Sequence, residues 1–145
     1  MIDALNEKIL ICLQENARQS NAEIGRKIGI SSPAVSERIK KMQDLGIING
    51  FTTMVSSYDM GYQLKAIITL RAFMGKLKPF LVKVTTMEEV VNCYRITGNE
   101  NIVMEVTLRN QKHLEEFIDG IISYGESKTQ IVLSQVVKNN VIKKA

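Results

Sequence analysis

Five cations and one anion lie in the sixteen residues from Arg26 to Lys41, interleaved with serines, an alanine and a glutamate. Arg26, Lys27, Arg38, Lys40 and Lys41 are the residue types that neutralise phosphate, each contact releasing a condensed counterion. Ser32, Ala34, Ser36 and Glu37 are small or hydrogen-bonding, so a backbone that carries them can approach base edges closely. Ser31, at the same end, completes the set. The local excess of positive charge equals the net charge of the whole 145-residue chain, +4. Phosphate contact and base-edge reading are the chemistry this pattern supports. The plain alternative is a solvated helix face, which charge runs commonly are.

Positioning such groups requires a helix with a defined start and stop, and the stretch SSPAVSERIKKMQDLG (31–46) contains one. Ser31 or Ser32 can cap it, Pro33 fits the first turn, and Gly46 ends it. Val35, Ile39 and Met42 recur at helical spacing as a buried stripe, leaving the polar residues on the opposite face. Two helices precede it. Asp3 is placed to cap a helix burying Leu5, Ile9, Cys12 and Leu13. Ser20 and Glu23 have capping-box spacing ahead of Ile24 and Ile28, with Gly29 as the stop. IINGFTTMV (47–55) predicts two short strands around Asn49-Gly50. Residues 1–55 therefore predict a winged helix-turn-helix, which presents its second helix to the major groove.

Residues 56–63, SSYDMGYQ, predict a linker, and the rhythm then changes. LKAIITLRAF alternates as a strand, 76–87 predict a helix, and VVNCYRITG and NIVMEVTL predict strands around a Gly98-Asn99-Glu100-Asn101 turn. A helix over 111–123 and a strand in KTQIVLSQVV (128–137) complete a βαββαβ order. The fold class is α+β, with a ferredoxin-like domain over 64–145. Its apolar strands are long for so small a domain, and uncovered edges invite pairing with another chain, so a homo-oligomer is expected.

The composition excludes several classes. The pI is about 9.1, which permits a polyanionic partner. Cys12 and Cys93 lack metal-ligand spacing and read as free thiols, and His113 is the sole histidine. No metal or cofactor is called for, nor does any nucleophile motif or Gly-rich phosphate loop point to an enzyme. No apolar run is long enough for a membrane span, and a cytoplasmic location is expected.

DALNEKILICLQENAR, NAEIGRKIGISSPAVSERIKKMQDLGIINGF, YDMGY, YRITGNENIVMEV and KTQIVLSQVVK together resemble the leucine-responsive/asparagine regulatory (Lrp/AsnC) family. The resemblance spans nearly the whole chain and is most specific in the helix-turn-helix. It implies a transcriptional regulator that binds double-stranded DNA, with a C-terminal domain that dimerises by pairing sheets. Dimers of the family often assemble into octamers, and an amino-acid effector can bind between them. Effector-responsive relatives usually place an aspartate soon after the turn glycine. Here Gly98, Asn99, Glu100 and Asn101 occupy that turn, so Glu100 either replaces that carboxylate or no amino acid binds. Thr129 is a further candidate for the same pocket. A plain polar turn explains these residues equally well. Two other readings stay open: an architectural DNA-wrapping protein without effector, and an enzyme akin to the haem-precursor decarboxylase group that resembles this family.

Overall fold

The computed structural model describes residues 2–145 and resolves two compact units. One runs through Thr53 and includes Val137–Ala145; the other is Met54–Val136. Sequence reasoning grouped the last nine residues with the sheet, whereas their contacts lie with the helical unit.

The helical unit consists of α1 (Ala4–Glu15), α2 (Asn21–Ile28), α3 (Ser32–Asp44) and the C-terminal tail. Ile9, Cys12, Ile24, Val35 and Met42 form its buried centre, with Leu10, Leu13, Ile28, Ile39, Ile47 and Ile48 packed around them. Three helices alone bury little surface, so their ends matter. Asp3 accepts the Asn6 amide at 2.7 Å, and Ser20 and Glu23 form the reciprocal capping box. The cap of α3 is Ser31, whose hydroxyl accepts from the Ala34 amide, which leaves Pro33 in the first turn.

The expected wing is not a β-hairpin: residues 47–55 contain no strand. The amides of Ile47 and Ile48 both donate to the Met42 carbonyl, and that of Gly46 to Gln43, closing α3 in a Schellman motif. Those amides are spent on the helix end and cannot open a strand ladder. Asn49 is not left-handed, as a two-residue Asn-Gly turn requires, since Asn139 is the one non-glycine residue with positive φ among the described residues.

The second unit contains β1 (Leu64–Ala72), α4 (Leu77–Val84), β2 (Val90–Arg95), β3 (Ile102–Leu108), α5 (Gln111–Ile121) and β4 (Gly125–Ile131). The strands form one antiparallel sheet in the order β2-β3-β1-β4. Alternate residues Ala66, Ile68 and Leu70 of β1 and Ile102, Met104, Val106 of β3 are buried against Phe80 and Val84 of α4 and Phe117 and Ile121 of α5. Both helices thus cover one face, as the βαββαβ order predicts. Helix α4 is shorter than expected because the Thr85 and Thr86 hydroxyls donate to the Val82 and Lys83 carbonyls and end it.

Strand β4 starts earlier and stops earlier than its apolar run implies. β1 begins at Leu64, and the Val132 amide donating to Lys65 is the last rung available. Leu133, Val136 and Val137 are left exposed. Gly125 opens β4 because a side chain there would strike the Arg71 carbonyl. His113, the sole histidine, lies in the first turn of α5. It is only 6% exposed; its Nδ1 accepts from the Arg109 amide, so Nε2 carries the proton and donates to Glu89 at 3.0 Å.

Candidate nucleic-acid interface

The turn between α2 and α3 is built by two glycines with different jobs. Gly25 is buried, and a Cβ there would lie 2.5 Å from the Ile30 carbonyl oxygen, so only glycine lets the two helices close to this distance. Gly29 takes the left-handed conformation (φ 81°) that stops α2. The amides of Gly29 and Ile30 both donate to the Gly25 carbonyl, which fixes where α3 begins.

With Val35 and Met42 buried beneath it, α3 leaves Ser32, Ser36, Glu37, Lys40 and Lys41 exposed and Ala34 half-buried. Ser31 is exposed too, although its hydroxyl is committed to the cap. Arg26 and Lys27 are exposed in the last turn of α2, where cations also complement the helix dipole. Lys27 reaches the Gln19 side-chain oxygen at 2.8 Å. Arg26, Lys40 and Lys41 make no ion pair among the described residues. Positive charge without an internal partner is available to an external anion.

Arg38 stands apart from the other cations. Its Nη1 donates to Asp3 Oδ2 at 2.7 Å and to Asn6 Oδ1 at 2.9 Å, so its side chain is turned to α1. That hydrogen bond, with the Asn6 amide, holds the Asp3 carboxyl below its usual range. A cleft of about 440 Å³ runs beside the pair, lined by Asp3, Asn6, Glu37, Arg38 and Lys41 among others. Spacing alone could not separate Arg38 from Lys41, which lies three residues on. The discriminating signal was the pair of polar residues, Asp3 and Asn6, opening α1.

In the sheet unit, the Gly98–Asn101 turn joins β2 to β3, and Gly98 is left-handed at φ 108°. Asn99 is exposed, whereas Asn101 is structural: its side-chain oxygen accepts the Ala72 amide at 2.7 Å and its own amide donates to Leu70. Glu100 accepts from Lys128 at 2.8 Å, and this bond, followed by its own backbone amide, holds its carboxyl below the usual range. Thr129 does not join Glu100. It pairs with buried Ile68 and so points to the helix-covered face, while Lys128 points to the other. The same alternation sets Tyr94, opposite Val103, and Arg95, opposite Ile102, on different faces. Among the described residues, no cluster of His, Cys, Asp or Glu can hold a metal ion. No helix is long and apolar enough to cross a membrane.

Comparison with known proteins agrees with this geometry at both ends of the chain. Residues 2–43 match the AsnC-type helix-turn-helix domain, and residues 65–142 match the Lrp/AsnC ligand binding domain. The HTH-type transcriptional regulator Rv2324 of Mycobacterium tuberculosis is 32% identical over 94% of this chain and 95% of its own. Among solved structures, Bacillus subtilis LrpC is 26% identical, with a TM-score of 0.90 over 94% of this chain and 98% of that one. The Neisseria meningitidis regulator NMB0573, solved with L-methionine, shares the fold at 23% identity and a TM-score of 0.92, covering 98% and 96%. A capped, glycine-hinged helix-turn-helix joined to a four-stranded α+β unit, matched along its length by such relatives, places the chain in the Lrp/AsnC family of transcriptional regulators.

Proposed function

We propose that this regulator reads duplex DNA with α3 in the major groove, acting as a homodimer or larger even assembly in the cytoplasm, without catalytic activity. Ser32, Ala34, Ser36 and Glu37 read base edges; Arg26, Lys27, Lys40 and Lys41 hold phosphates; Ser31 sets the start of the helix. The observation that carries this reading is the exposed face of α3, whose two lysines have no internal anion. Assembly is supported by apolar side chains that a partner chain would cover: Met74, Leu133 and Val136 are all more than 90% exposed. Two half-sites held by one assembly raise affinity through effective concentration.

An amino-acid effector fits the turn before β3. The ionised Glu100 offers an α-ammonium group its second oxygen, since the first is taken by Lys128. The methionine in the meningococcal relative supports that ligand class. Selection of bound duplexes from a randomised pool tests the reading: an enriched inverted repeat is expected, and absence of binding to any duplex at low salt overturns it. Sedimentation with and without a panel of amino acids tests the effector and the assembly together.

A further inference from the structure

The positive charge of this molecule is not where the helix-turn-helix alone would put it. Residues through Thr53 carry seven cations and six anions, and Met54–Val136 carry nine of each. The tail Val137–Ala145 carries Lys138, Lys143 and Lys144 and no acid, so it supplies three of the four net charges of the whole chain.

That tail is docked on the helical unit by polar groups. Gln14, exposed on α1, reads the backbone of Ile142 from both sides: its amide nitrogen donates to the Ile142 carbonyl at 2.8 Å and its oxygen accepts the Ile142 amide at 2.9 Å. Glu7 accepts the Lys144 amide at 3.3 Å, and Lys144 Nζ donates to the Ile2 carbonyl at 3.0 Å. Ile142 itself stays exposed, so burial is not what holds the segment.

The direction of docking matters more than its strength. The tail runs antiparallel to α1, from Gln14 back toward Ile2. Beside Ile2 stands Asp3, which is bonded to Arg38 of α3, and Asp3 and Arg38 line one cleft with Lys41. The basic end of the chain is therefore delivered to the end of α1 that adjoins the cationic side of α3. Lys143 is exposed and makes no ion pair among the described residues. Lys144 spends its ammonium on a backbone carbonyl, a partner that a phosphate replaces with gain of charge–charge attraction.

We infer that this tail is a second arm of the DNA interface, in which Lys143 and Lys144 neutralise phosphates flanking the site read by α3. The inference rests on the DNA-binding reading above and deepens it. Docking converts a flexible basic tail into groups held at a fixed distance from α3, so their contacts add to those of Lys40 and Lys41.

Two measurements on the full chain test it. Lysine acetylation with and without duplex DNA is expected to show protection of Lys143 and Lys144 alongside Lys40 and Lys41. Tail lysines that react equally in both states, while Lys40 and Lys41 are protected, overturn the inference. Replacing Lys143 and Lys144 with alanine is expected to reduce the slope of log K against log salt by roughly two, at about 0.9 per phosphate; arginine replacements are expected to keep it. An unchanged slope in the alanine variant also overturns the inference. If the unaltered chain binds no duplex, it is the preceding reading that fails.

Discussion

Arg38 and Asp3, 35 residues apart in sequence, meet at 2.7 Å and fasten the middle of α3 to the first turn of α1. Asn6 takes a second bond from the same nitrogen. The rotation of α3 about its own axis, and so the set of side chains it offers outward, is fixed by this junction as well as by Val35 and Met42 below. Arg38→Ala is therefore expected to lower the melting temperature and weaken DNA binding while leaving the salt slope at its original value. A slope reduced by about one would return Arg38 to the phosphate contacts.

The same pair has a pH signature. Asp3 is held below the usual carboxylate range when folded, first by the Arg38 hydrogen bond and then by the Asn6 amide. Its contribution to stability is thus present above the ordinary carboxylate pKa and is lost as pH falls through the folded value. Urea midpoints at neutral and acid pH are expected to differ less in Asp3→Asn than in the unaltered chain.

Lys40→Ala with Lys41→Ala is expected to weaken binding to every duplex and to flatten the salt dependence by roughly two units of slope. Ser36→Ala is expected to reorder preferred sequences with little change in slope. Fluorescence anisotropy across a salt series and a panel of duplexes separates the two behaviours.

Gly25→Ala places a methyl against the Ile30 carbonyl in a buried turn. Overpacking of that kind costs about 1–3 kcal/mol. The loss is expected as earlier urea unfolding and faster hydrogen exchange in α2 and α3, with the exchange of β1 and β3 unaltered.

In the turn before β3, neighbouring residues are expected to part company. Asn101→Ala leaves the Ala72 amide without its acceptor and is expected to cost about 1–3 kcal/mol, read by denaturant titration. Glu100→Gln keeps a hydrogen-bond acceptor for Lys128 but removes the charge. It is expected to abolish calorimetric binding of any amino acid that the unaltered chain takes up, with a near-normal melt.

The helix starts were legible because each depends on residues within four positions: Asp3, Ser20 with Glu23, and Ser31 all cap where local spacing puts them. The first strand was legible from alternation in Leu64–Ala72, and the βαββαβ order of elements put both helices on one face. What local pattern could not supply was partner availability. Asn49-Gly50 reads as a hairpin until the Ile47 and Ile48 amides prove committed to Met42. Leu133 to Val137 read as strand until β1 proves too short to pair with them. In the reading face, charge type was legible but charge partner was not, so Arg38 looked equivalent to Lys40. Thr129 differs in another way: strand parity sets it on the face away from Lys128, the partner of Glu100. The tail was invisible as an interface element because its anchor, Gln14, lies 128 residues upstream of Ile142.

The helical unit is discontinuous in the polypeptide, closed by Gln14 and Glu7 only once Ile142 and Lys144 are present. Its three helices and the residues joining them contribute a net charge of +1, and residues 137–145 contribute +3. Loss of that segment would strip the unit of most of its net charge together with the Gln14 and Glu7 contacts.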